Sequence, residues 1–262
     1  FFARRTRYPG SLLRVVTAGI TIVFFTLYAS AGFVAGAKLF EIVLGLSYER
    51  ALAIGAFVIV SYTAFGGFLA VSWTDFFQAL LMMGALLLLP VIGSIDVTAA
   101  GTNLHVPFMG LVGVISLLAW GLGYFGQPHI LVRFMAVGSS ADIPKARRIG
   151  MTWMVLSGIG AIAVGFVGST HFVSLEDPEV VLIELASALL DPWLAGIVLA
   201  AILAAVMSTV DSQLLVASTS LVLDVGIITK HPLALSRLMV VLVAMLAWGI
   251  ALDPENRVLD LV

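Results

Sequence analysis

The chain has 262 residues, 61% of them hydrophobic and only 11% charged, with a mean hydropathy of +1.14. Soluble domains run at about 45–50% apolar and about 25% charged, so this composition excludes a soluble globular domain and predicts an all-α polytopic membrane protein. The net charge of −2 says less than the position of each charge, and the lack of cysteine excludes disulfides and thiolate metal sites.

Apolar runs bounded by turn signals predict seven spans in a single transmembrane domain, residues 1–262. The first covers residues 11–46, long enough to tilt or protrude. The second and third cover 50–69 and 75–95, with Pro90 near the end of the third. A loop follows at 96–107, then a fourth span at 109–137 and a fifth at 143–171. A polar connection, 174–191, holds a short amphipathic helix at 179–190. Pro192 suits the first turn of the sixth span, which runs to about residue 223, and the seventh covers 232–252. The chain opens without an initiator methionine or signal peptide and stops in an apolar stretch, which predicts the middle of a longer protein.

Charge tests this threading. With a cytoplasmic N-terminus, the inside carries Arg4, Arg5, Arg7, Arg14, Arg133, Lys145, Arg147, Arg148, Lys230 and Arg237, and the outside only Lys38, Arg50 and Arg257. That asymmetry obeys the positive-inside rule. No Gly-rich phosphate loop, metal-ligand spacing or nucleophile elbow is legible in the chain.

The fourth span carries its own breakers. Gly121, Gly123, Gly126 and Pro128 interrupt an apolar run. Proline removes a backbone donor and clashes with the preceding turn, and glycine lowers the cost of unwinding. Backbone opened at membrane depth is tolerated only in protein or beside a cavity, so such a helix often marks a substrate site. Trp120 and Tyr124 share a face if the first half stays helical. A kinked, glycine-packed span is the plainer alternative.

The sixth span is apolar in its first half and holds Ser208, Thr209, Asp211, Ser212, Ser218, Thr219 and Ser220 in its second. Ala205, Ser208 and Thr209 fall on one face. Two hydroxyls and a carbonyl can supply part of the oxygen shell of a hard cation. They can equally hydrogen-bond within or between helices. Asp211 fits an ion or proton carrier or a buried partner for a donor. Asp75 and Gln78 have capping-box spacing, which reads as a helix cap compatible with a place on an ion path. In the first span, Tyr28 and Ser30 precede Gly32 and Gly36, a spacing that permits close helix packing; Tyr28 reads there as core or ligand. His105 and His171 read as solvated, and His129 as a partner for carbonyls freed by the break.

Several long stretches carry a resemblance. They are Phe24 to Gly32 (FFTLYASAG), Gly36 to Glu41 (GAKLFE), Gly66 to Asp75 (GGFLAVSWTD), Trp120 to Ile130 (WGLGYFGQPHI), Ala200 to Thr209 (AAILAAVMST) and Asp253 to Leu259 (DPENRVL). On these the chain resembles the sodium/solute symporter family, in its sodium/proline branch, over nearly its whole length. The resemblance implies the leucine-transporter fold, two inverted five-helix repeats with broken first and sixth core helices. The chain would then hold core helices three to nine and the start of ten. It further implies that the Ala205 carbonyl, Ser208 and Thr209 form half of a sodium site, and that Tyr28, Trp120, Tyr124 and Pro128 surround proline. Asp75 matches an aspartate that couples sodium to transport.

The implied function is sodium-driven symport of L-proline by alternating access at the inner membrane. Sodium would be the co-transported ion, with no organic cofactor, no enzymatic chemistry and no nucleic-acid partner. A symporter of the same family for another amino acid, a carboxylate or a sugar stands as the alternative, and a channel or membrane enzyme with a polar interior as the second.

Overall fold

The computed structural model describes residues 10–100, 110–172, 175, 177, 180–224 and 231–253. Among these, all regular structure is helical: α1 Gly10–Leu44, α2 Tyr48–Ala100, α3 Leu111–Trp120, a 3-10 segment Gly121–Gly126, α4 Pro128–Met135, α5 Ile143–His171, α6 Val181–Leu189, α7 Pro192–Thr219 and α8 Pro232–Ile250. A short 3-10 turn, Ser140–Asp142, leads into α5, and a π turn, Ser220–Asp224, extends α7. Arg4, Arg5, Arg7, His105, Ser174, Lys230 and Arg257 lie outside the described residues.

Six helical segments among the described residues are long and apolar enough to cross a membrane. The longest, Tyr48–Ser94, is broken at Gly67 by φ 57° and ψ −156°, so the described helices supply the seven apolar segments that the sequence predicts. That backbone region is open essentially to glycine alone. A straight helix would set Tyr62 and Asp75 about 20 Å apart. The kink at Gly67 falls between them, so the two do not lie on one straight helix.

The break lies earlier than expected. Residues 70–74, predicted as the connection, are helical, because Ser72 donates to the Phe68 carbonyl and Thr74 to those of Ala70 and Val71. These hydroxyls satisfy carbonyls one turn back, as helix-embedded Ser and Thr commonly do. Asp75 therefore sits within α2, buried, and is not a helix cap. The predicted loop at 96–107 also starts late: α2 passes through Pro90 and runs to Ala100. Nothing between Ile95 and Ala100 breaks a helix.

Other expectations hold. The connection before α7 contains a short helix, Val181–Leu189, whose Ile183, Leu185 and Ala186 are buried. The Asp191 carboxylate accepts from the Trp193 and Leu194 amides at 3.0 and 3.3 Å and caps α7 just before Pro192. His171 is half-buried rather than solvated, with Nδ1 3.0 Å from the Val167 carbonyl at the end of α5.

The chain divides into two compact bodies, Phe1–Leu80 with Ala200–Val262, and Leu81–Leu199. In the first, α1 packs on α7 through Gly32 and Gly36. A β-carbon at Gly32 would collide with Val210, and one at Gly36 would lie 3.6 Å from Val206. As the sequence moves forward on α1 it moves back on α7, so the pair is antiparallel. The first half of α2 and α8 are antiparallel too. Tyr48 donates to the Ala251 carbonyl at one end (2.7 Å), and Arg237 to the Phe65 carbonyl at the other (3.3 Å). In the second body, α5 buries a single stripe, Ser157, Gly160, Val164, Val167 and Gly168.

Candidate ion and substrate site

The polar half of α7 brings three predicted ligands together. Ser208 Oγ and Thr209 Oγ1 both donate to the Ala205 carbonyl, each at 3.0 Å. The three oxygens converge on one half-buried patch, and each hydroxyl retains acceptor lone pairs. This bonding pattern is not unique on the helix. Ser218 and Thr219 donate to the Leu215 carbonyl in the same way, at 2.8 and 2.7 Å. Back-bonding alone therefore does not single out Ser208 and Thr209.

Their surroundings do. One turn on, Asp211 is completely buried. Its Oδ2 accepts from the Tyr62 hydroxyl at 2.7 Å, and its Oδ1 from Ser212 at 3.2 Å. Asp75, also buried, acts electrostatically on Asp211. Of the ten buried polar or charged residues of the chain's described part, all but Ser157 belong to this first body.

The predicted substrate residues divide between the bodies. Tyr28 is half-buried on α1, one turn before Gly32 and on the face that meets α7. Trp120, Tyr124 and Pro128 lie in the second body, on the span predicted to break. It does break: α3 ends at Trp120, Gly121–Gly126 is a 3-10 segment, Gln127 is extended (φ −66°, ψ 119°), and Pro128 opens α4. The side chains of Trp120 and Tyr124 lie outside the described residues. Among the described residues no cluster of His, Cys, Asp and Glu has the makings of a metal centre.

The broken apolar span lies in one body and the convergent trio of oxygens in a helix of the other. The chain belongs to the sodium:solute symporter family. The match covers residues 3–262. Over 289 residues it is 47% identical to the sodium/proline symporter of Escherichia coli (strain K12), covering 100% of this chain and 58% of that protein. Over 288 residues it is 43% identical to the sodium/proline symporter of Staphylococcus aureus, covering 100% of this chain and 56% of that protein. The chain thus spans little more than half the length of these relatives. The family and the names of these relatives point to a multi-pass membrane transporter rather than an enzyme.

Two polar residues of this chain are not marked by its sequence. Tyr62 is an ordinary aromatic in an apolar run, and only the turn at Gly67 and the packing of α7 reveal its bond to Asp211. Gln213 is buried to 1% exposure, with no hydrogen-bond partner for its carboxamide among the described residues. A glutamine two residues after a buried aspartate was the only available signal, and it does not distinguish burial from exposure.

Proposed function

We propose that the protein containing this chain is a sodium-coupled symporter that imports L-proline by alternating access. One observation carries the reading: the chain matches the sodium:solute symporter family over residues 3–262, and the Ala205 carbonyl, Ser208 Oγ and Thr209 Oγ1 on α7 offer oxygens for the ion. Sodium is the transported cation here, and takes oxygen ligands as hard cations do. Three oxygens are fewer than such an ion needs, so further ligands complete the shell. Asp75 couples the ion to transport by making the buried first body more favourable to positive charge. Tyr28, Trp120, Tyr124 and Pro128 contact proline: the opened backbone at Gly121–Gln127 offers dipoles to the zwitterion, and the aromatic rings pack on the pyrrolidine. Sodium and proline each favour one conformation, so each raises the other's affinity.

The names of the relatives support proline over the other solutes of the family. The site lies in the cell membrane with Lys145–Arg148 cytoplasmic. Cysteine placed at Ser140 should resist an impermeant thiol reagent applied from outside, and labelling there would reverse the orientation. The central test is uptake of labelled proline by the full-length protein in vesicles. Saturable uptake that requires an inward sodium gradient is expected; uptake of proline indifferent to sodium, or of another solute only, would overturn the reading.

A further inference from the structure

Tyr62 reaches α7 from the first half of α2 and touches it on both sides of the ligand pair. Its hydroxyl lies 2.7 Å from Asp211 Oδ2 and 3.4 Å from the Met207 carbonyl. A phenol has one hydrogen to donate, so the shorter contact to the carboxylate takes it and Met207 is the reserve acceptor. The connection continues. The Ser212 hydroxyl lies 3.0 Å from the Ser208 carbonyl and 3.2 Å from Asp211 Oδ1, and these two acceptors share its single hydrogen. A hydrogen-bonded chain thus runs from α2 through Asp211 and Ser212 to the backbone of Ser208. All its members belong to one body.

We infer that Tyr62 is a positioning residue for the sodium ligands, fixing the rotation of α7 by holding Asp211 and so aiming Ser208 and Thr209. The inference rests on the reading of Ala205, Ser208 and Thr209 as half of a sodium site. The physical ground is the cost of a buried carboxylate. Asp211 has no exposed surface and must keep its donors. A helix that loses one of them turns or shifts to find another. Ligand oxygens must sit within about half an ångström of their working positions, so a small rotation of this turn degrades the site. Tyr62 touches none of Ala205, Ser208 or Thr209 with its hydroxyl, and acts through Asp211 and the helix.

A built-in comparison exists. Tyr48 makes an equally short bond, 2.7 Å to the Ala251 carbonyl, buried and in the same body, and holds no part of α7. Tyr→Phe at either position removes one oxygen and keeps the ring.

The test uses the full-length protein in proteoliposomes. Labelled proline uptake is measured against sodium concentration, and against proline at saturating sodium. Tyr62→Phe should raise the half-saturating sodium concentration about tenfold, the scale of losing a hydrogen bond to a charged group. The half-saturating proline concentration at saturating sodium should stay within about twofold. Tyr48→Phe should change neither. Asp211→Ala should also raise the sodium requirement, and adding Tyr62→Phe to it should give no further rise, because the second residue acts through the first. Should Tyr62→Phe fail to reach the membrane, Asp211→Ala tests the same link from the other side, and an unchanged sodium requirement there overturns it. The role also falls if Tyr62→Phe leaves sodium dependence intact, raises the sodium and proline requirements equally, or keeps its full effect beside Asp211→Ala. Thr209→Ala separates the layers. Unaltered sodium dependence in that variant removes the sodium site itself, whereas a response to Thr209→Ala without one to Tyr62→Phe removes only the role of Tyr62.

Discussion

The polar turn of α7 and the broken span α3–α4 are built on opposite plans. In α7 the helix stays regular through Ser208, Thr209 and Asp211, and the polar groups are side chains whose bonds close on the helix itself or on Tyr62. In α3–α4 the residues are mostly apolar or aromatic, Ser116, Gln127, His129 and Arg133 apart, and the backbone itself opens, across Gly121–Gly126. Leu111, Val112, Leu118 and Leu122 around it are all at least 70% exposed, whereas Val210, Asp211 and Leu214 are fully buried. The proposed function assigns the two plans two kinds of cargo. A small hard ion is held by oxygens at short, fixed distances, which a regular helix delivers by periodicity. A zwitterion needs donors and acceptors spread over several ångströms, which unwound backbone provides.

If that division is right, damage to the two regions should be separable. The largest effect is expected at Thr209. Thr209→Ala in the full-length protein should raise the half-saturating sodium concentration by about tenfold to a hundredfold, the scale of an interaction with a charged group. Ser218→Ala removes a hydroxyl that is back-bonded on the same helix, donating to Leu215, and should change the sodium requirement less than about twofold. Equal responses would mean that back-bonding alone accounts for Ser208 and Thr209.

The broken span should fail in the other coordinate. Trp120→Ala and Tyr124→Ala should weaken proline binding about tenfold while the protein still inserts. Cysteine at either position should be protected from a thiol reagent by saturating proline. This region has no native cysteine to confuse the reading. Absence of protection at both places the substrate elsewhere, and a response confined to sodium would erase the distinction between the regions.

The smallest effect concerns the scaffold that brings Tyr62 and Asp75 to α7. Gly67 holds φ 57°, ψ −156°, so Gly67→Ala should destabilise the purified full-length protein in detergent by about 1–3 kcal/mol. Gly84 lies exposed in the same helix with nothing within 4 Å of an added β-carbon. Gly84→Ala should stabilise by up to about 1 kcal/mol through helix propensity. Thermal unfolding monitored by loss of monodisperse protein distinguishes the two, and a neutral Gly67→Ala would show that the turn does not need its glycine.

Much of this was legible in the residues. Hydropathy decides which segments can span, since each apolar run must cross about 30 Å of hydrocarbon and no alternative solvent exists for it. Gly121, Gly123, Gly126 and Pro128 announce the break in the fourth span because backbone chemistry is local. The 3.6-residue period puts Ala205, Ser208 and Thr209 on one face without help from the fold. The tertiary structure decided the rest. Ser72 and Thr74 look like a connection but bond back into the helix, and the turn falls instead at Gly67, where one of two adjacent glycines takes the positive φ. Periodicity cannot say which of several permissive residues yields. Nor can it say that Asp75 is buried in mid-helix, that Tyr62 meets Asp211, or that Ser208 and Ser218 differ in anything but number. Those facts depend on which helices lie against α7 and at what rotation, and that is set by the packing of Gly32 and Gly36 on Val210 and Val206, contacts between residues far apart in the chain.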